Sequence, residues 1–198
     1  EEDAVIEKSN KKNEKNKEKL GNNSSVMQLG HISWQLDDLS NIHIMQKATR
    51  LKREVERMMA NPPEGISCYP NNDKIDNLSV SILGPPGSPY EGGLFQLEVE
   101  IPESYPFEPP RLKFLTPVYH PNIDESGRIC MDLLKMPPNG GWKATINIEN
   151  LLTAVQLLLR YPNPDDPLMV EIADLYRFNK SEFEKKARKH TEDNAMKK

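Results

Sequence analysis

The segment HPNIDESGRICMD (120–132) places a thiol, Cys130, eight residues beyond the side-chain amide of Asn122 and a rigid His120-Pro121 turn. A cysteine can act as an acyl nucleophile, and its attack creates an oxyanion that a short neutral donor such as Asn can stabilise. No second catalytic histidine, metal-ligand cluster or phosphate-binding glycine loop competes with this stretch in the sequence. Cys130 is therefore the candidate nucleophile. Cys68 begins a strand-like run without such neighbours and reads as structural.

A site loop of this kind needs rigid elements on both sides. From Met45, the residues Leu51, Val55, Met58 and Met59 share one helical face, with Lys52, Arg53, Glu54, Glu56 and Arg57 on the other. Asn61-Pro62-Pro63 ends that helix. The runs 78–82, 95–101 and 112–114 alternate apolar with polar residues, so they predict an antiparallel sheet solvated on one face. After Cys130 the period changes. Ile148, Leu151, Leu152, Val155, Leu158 and Leu159 predict an apolar helix under the sheet, stopped by Pro162. Asp166-Pro167 reads as a cap and first position opening a helix through Tyr176. Asn179 with Glu182 predicts a last helix reaching about Lys197. The fold class is α+β, with an antiparallel sheet between an N-terminal helix and C-terminal helices.

The chain has 198 residues, enough for one domain with an appendage. The appendage is residues 1–44, where EKSNKKNEKNKEKLGNNSS lacks any apolar period and reads as a disordered, low-complexity extension. Within it, HISWQLDDLSNIHI is a candidate docking motif, and Met45 is equally a candidate natural start. Two cysteines and no secretory signal imply free thiols in a reducing compartment. No apolar run is long enough for a membrane span, and a net charge of −4 gives no general basic field for nucleic acid.

YPFEPP (105–110), HPN (120–122), GRICMD (127–132), Trp142 and PNPDDPL (162–168) occur in one register that resembles the ubiquitin-conjugating enzyme (E2) family from Met45 to the C-terminus. MQKATRLKRE, the long LLKMPPNGG stretch and the ending KHTEDNAMKK resemble its T-type branch, which attaches single ubiquitins in Fanconi anaemia DNA-crosslink repair. The resemblance implies that residues 45–198 are a catalytic domain of the E2 (UBC) fold, with a four-stranded antiparallel sheet, and that Cys130 takes ubiquitin from an E1 as a thioester, then passes it to a lysine amine. It further implies no cofactor on this chain, since the E1 consumes the ATP.

Asn122 then donates to the oxyanion, or braces the loop. His120 and Pro121 shape the turn. Asp166 orients the incoming lysine, or merely caps a helix, and Asp132 is a second site-lining carboxylate. Lys135 lies within reach of the thioester, as a candidate for self-modification or as an ordinary surface lysine. Lys52 and Arg53 match the family's E1-binding pair. Phe107 with Lys143-Ala144-Thr145 matches its surface for RING-type E3 ligases, although many members carry Pro-Ala where this chain has Ala144-Thr145. Ser67 matches a back-face position that binds a second ubiquitin in some members.

The partners so implied are ubiquitin, an E1, a RING-type E3 and a substrate lysine, with neither membrane nor nucleic acid bound directly, in the nucleus or also the cytoplasm. Two other readings stand beside it: a general chain-building E2, and a non-catalytic E2-like ubiquitin-binding module. The presence of Cys130 argues against the module, and PNPDDPL disfavours an E2 for another modifier.

Overall fold

In the computed structural model, residues 44–72 and 74–196 are described. The proposed extension over 1–44 lies, up to residue 43, outside them. Residues 44–60 form helix α1. Four strands follow: β1 (Ile66–Asn71), β2 (Lys74–Leu83), β3 (Leu94–Glu100) and β4 (Arg111–Phe114). They pair in chain order, each antiparallel to the next. This is the expected sheet, with β2 several residues longer than its alternating centre.

The register explains the alternation. Cys68, Val80 and Leu97 line up on the core face, while Ser67, Ser81 and Gln96 line up on the other. Leu78, Val80, Ile82, Phe95, Leu97 and Val99 are fully buried. Onto them pack Leu51, Val55 and Met58 of α1, and Ile148, Leu151, Leu152, Val155 and Leu159 of α2 (Ile148–Arg160). Burial of this kind contributes about 2 kcal/mol per large side chain. The core therefore has sheet on one side and helices on the other.

Two helices complete the domain, α3 (Val170–Phe178) and α4 (Lys180–Asn194). The cap expected at Asn179 is present, its side chain accepting from the Glu182 amide. The helix it opens stops at Asn194, short of the expected Lys197. The start expected at Asp166-Pro167 is not found: α3 opens at Val170, with no side-chain cap on Met169. The amides of Leu168 and Met169 both bond instead to the Pro121 carbonyl, at 2.9 Å each. Those amides are thus turned away from a helix, and the Asp166 carboxylate is freed from capping.

A polar hub joins the front of the molecule to α1. Glu54, nearly buried, accepts from Arg50 Nε (2.7 Å), the Tyr105 hydroxyl (2.7 Å) and the Ile148 amide at the start of α2 (2.9 Å). Arg50 in turn donates to the carbonyls of Ala144 (2.5 Å) and Ile146 (2.8 Å). Trp142 adds an indole bond to the Pro106 carbonyl at 2.9 Å. A buried carboxylate with three donors is expensive to neutralise, because each donor loses a charged acceptor. Glu54→Gln is expected to lower unfolding free energy in urea by about 2 kcal/mol.

Candidate active site

The approach to Cys130 is held by β4 and by its own loop. The Phe114 amide bonds to the Gly127 carbonyl at 2.9 Å. Gly127 has φ of 84°, and a Cβ there would lie 2.0 Å from the Phe114 carbonyl oxygen, so the crossing admits glycine only. Asp124 organises the turn before it, accepting from the Ser126 and Arg128 amides and from Arg128 Nε. The hydroxyl of Ser126 and the Arg128 side chain are among the donors that hold its carboxyl down at about 2. The Cys130 amide then bonds to the Asn122 carbonyl at 2.8 Å, which sets the thiol beside the HPN turn.

His120 is wholly buried. Its Nδ1 accepts from the Asn122 amide at 2.9 Å, so its Nε2 carries the proton to the Leu158 carbonyl, also at 2.9 Å. Burial lowers its pKa to about 4. It is a neutral strut, as expected of a shaping residue. Asn122 is equally buried, and its amide is fully engaged. Nδ2 donates to the carbonyls of Asn163 (2.7 Å) and Asp166 (2.9 Å), while Oδ1 accepts from the Asn163 amide (2.8 Å). Of the two readings of Asn122, bracing is the one this geometry displays.

That brace presents the Asp166 side chain to the thiol. Cys130 Sγ donates to Asp166 Oδ2 at 3.1 Å, and Lys135 Nζ meets the same oxygen at 2.5 Å. Partial burial, reinforced by the Asp166 hydrogen bond, raises the thiol pKa, and Lys135 opposes the rise. The Lys135 contact holds the Asp166 carboxyl below its usual value, and Asp166 holds the ammonium protonated. The resting thiol is thus kept neutral.

The remaining site candidates fall in separate places. Asp132 starts a short 3-10 turn with its side chain exposed, and its carbonyl accepts from the amides of Lys135 and Gly141. The bonds around Cys130 run to Asp166 and Lys135, not to this carboxylate. Lys52 and Arg53 lie on the exposed face of α1, Lys52 alongside Glu56. Phe107 is 59% exposed, and Lys143 and Thr145 are exposed on the neighbouring loop that Arg50 clamps. Ser67 faces Ser81 on the outer side of the sheet. Cys68 is buried in the core, where burial pushes its thiol to about 11. Arg50 and Glu54 were not singled out from sequence; Glu54 read as part of the charged face of α1 and Arg50 was not placed, and only their partners across the fold reveal them.

The ubiquitin-conjugating enzyme family model matches residues 50–191, a span that takes in every part of this site. The chain belongs to the ubiquitin-conjugating enzyme family. This E2 is 54% identical over 154 residues to human ubiquitin-conjugating enzyme E2 T, covering 78% of each chain. It is 51% identical to the E2 T of Xenopus laevis, over 77% of this chain and 79% of that one. It is 41% identical to E2 N of Drosophila melanogaster over 74% of this chain and 95% of that one. Ubiquitin, an E1 and an E3 are the partners that family membership brings.

Two measurements test the buried struts of this E2. His120 has a folded pKa of about 4, below its ordinary value of 6.5, so the unfolded state binds the proton more readily. Its contribution is full above pH 6.5 and is lost as pH falls toward 4. Urea denaturation should show about 2 kcal/mol of loss between pH 7 and pH 5 that His120→Gln abolishes. Asn122→Ala strands backbone groups of Asn163 and Asp166, and is expected to cost about 3 kcal/mol in the same assay.

Proposed function

We propose that Cys130 of this E2 accepts the C-terminal glycine of ubiquitin from an E1 as a thioester and hands it to a lysine of a substrate held by an E3. The observation that carries this is the shared Asp166 oxygen: a half-buried thiol and an ammonium converge on one carboxylate at a braced loop. An activated acyl group there would lie beside the place where a lysine docks. Asp166 orients the incoming amine and takes part of its proton, while Asn122 keeps Asp166 in position. The chain's own chemistry needs no cofactor, because the acyl group arrives already activated.

The finer reading is attachment of a single ubiquitin in DNA-crosslink repair, in the nucleus or also the cytoplasm. The identity to E2 T proteins over most of the chain supports membership of the T-type branch, and the repair role is proposed from that branch. The E3 would be of RING type, docking on Phe107 and on the 143–145 loop, with the E1 meeting Lys52 and Arg53. No direct nucleic-acid contact is proposed. A general chain-building E2 is the second reading, kept because the chain is also 41% identical to an E2 of another name, E2 N of Drosophila melanogaster. Product length on a substrate distinguishes the two.

Incubation with E1, ATP and ubiquitin is expected to give an adduct that reductant removes and that Cys130→Ala lacks. Cys130→Lys should give a reductant-stable adduct. Absence of any adduct on the wild-type chain ends the proposal. Self-modification of Lys135 belongs to the same experiment. Its ammonium is held protonated by Asp166, so the amine reacts only after losing that proton, and the yield on Lys135 should rise from pH 7 to pH 9. Mass spectrometry finding Lys135 unmodified at both pH values removes that part.

A further inference from the structure

Lys135 does more than neutralise a carboxylate. Its backbone is fixed at both ends: its amide bonds to the Asp132 carbonyl at 3.0 Å, and its carbonyl accepts from the Trp142 amide at 3.2 Å. Gly140 packs directly on it, so that a Cβ there would lie 2.3 Å from the Lys135 carbonyl oxygen. Trp142 is buried and tied to the Pro106 carbonyl. The long loop after Cys130 thus folds back on a firm base and aims one lysine at Asp166. That carboxylate is open to solvent, with 52% of its side chain exposed, so an outside lysine can reach the same oxygen.

We propose that Lys135 occupies, in the resting enzyme, the seat that the ammonium of the acceptor lysine takes during transfer. This rests on the reading that Asp166 orients the acceptor. A substrate lysine must then displace a tethered copy of itself before it reacts. In the transfer itself, the acceptor ammonium passes a proton through Asp166 to water, and its lone pair forms the C–N bond. The C–S bond breaks, and the Cys130 sulfur leaves with the electron pair and takes up the second proton that the acceptor nitrogen sheds. Lys135 takes no part in these bonds. It competes for the docking oxygen, which keeps reactivity toward stray amines low and favours a lysine delivered at high local concentration by an E3.

The test uses full-length chain loaded with ubiquitin by E1, with ATP then removed and discharge followed against a concentration series of free L-lysine. Lys135→Gln should lower the half-saturating lysine by about threefold to fivefold, the worth of an exposed ion pair. The rate at saturation should stay within about twofold. Gly140→Ala, which displaces Lys135 without altering charge, should shift half-saturation in the same direction. In an Asp166→Asn background, Lys135→Gln should change nothing further. An unchanged or raised half-saturation in Lys135→Gln overturns the inference. So does a fall that persists without the Asp166 carboxylate, since that is long-range charge repulsion. Hydroxylamine, which arrives neutral, should discharge both chains equally and proves that the thioester was present. A chain that never forms the thioester refutes the parent reading instead.

Discussion

The Asn122 side chain is the constraint on which the site depends. A carboxamide sealed from water must satisfy two N–H donors and a carbonyl, and it does so on the backbone of a segment remote in sequence. Its neighbours make the same choice: His120 bonds to α2 through Leu158, and Pro121 offers its carbonyl to the residues before α3. Three consecutive residues therefore tie the sheet side of the molecule to α2 and to the approach to α3. Those bonds bring the backbone of Asp166 beside Cys130, and the 3.1 Å contact from Sγ to Oδ2 completes the approach. Chemistry at the thiol is positioned from beneath.

A second anchor serves the loops that flank Trp142. Glu54 and Arg50 draw together α1, the 105–107 turn, the 144–146 loop and the start of α2. The two proposed docking loops share this foundation. Ala144-Thr145 lacks the proline that would stiffen its backbone by itself. Here the guanidinium supplies the restraint through two carbonyl bonds.

Much of this was legible before any coordinates. Alternation fixed the face of each strand, because a solvated side and a buried side leave opposite residue types at odd and even positions. The apolar stripe of α2 and the Asn179 cap were equally plain, as both are local signals. The helix start at Asp166-Pro167 misled for a physical reason: capping propensity is local, whereas the competing acceptor, Pro121, arrives only through the tertiary fold. Glu54 and Arg50 were invisible for the same cause. Charged residues on a helix look solvated until a partner from elsewhere covers them. Spacing marked Lys135 as near the thiol but could not say that it shares an oxygen with it.

The two thiols of this chain differ by environment more than by sequence. One sits in the core, raised to about 11 and shielded by strands; the other stands half open beside a carboxylate. A soft electrophile in solution therefore sees a molecule with a single handle. Fluorophores, spin labels or activated ubiquitin derivatives can be attached to the folded chain in one place without first removing a cysteine, and the label reports from the centre of the chemistry.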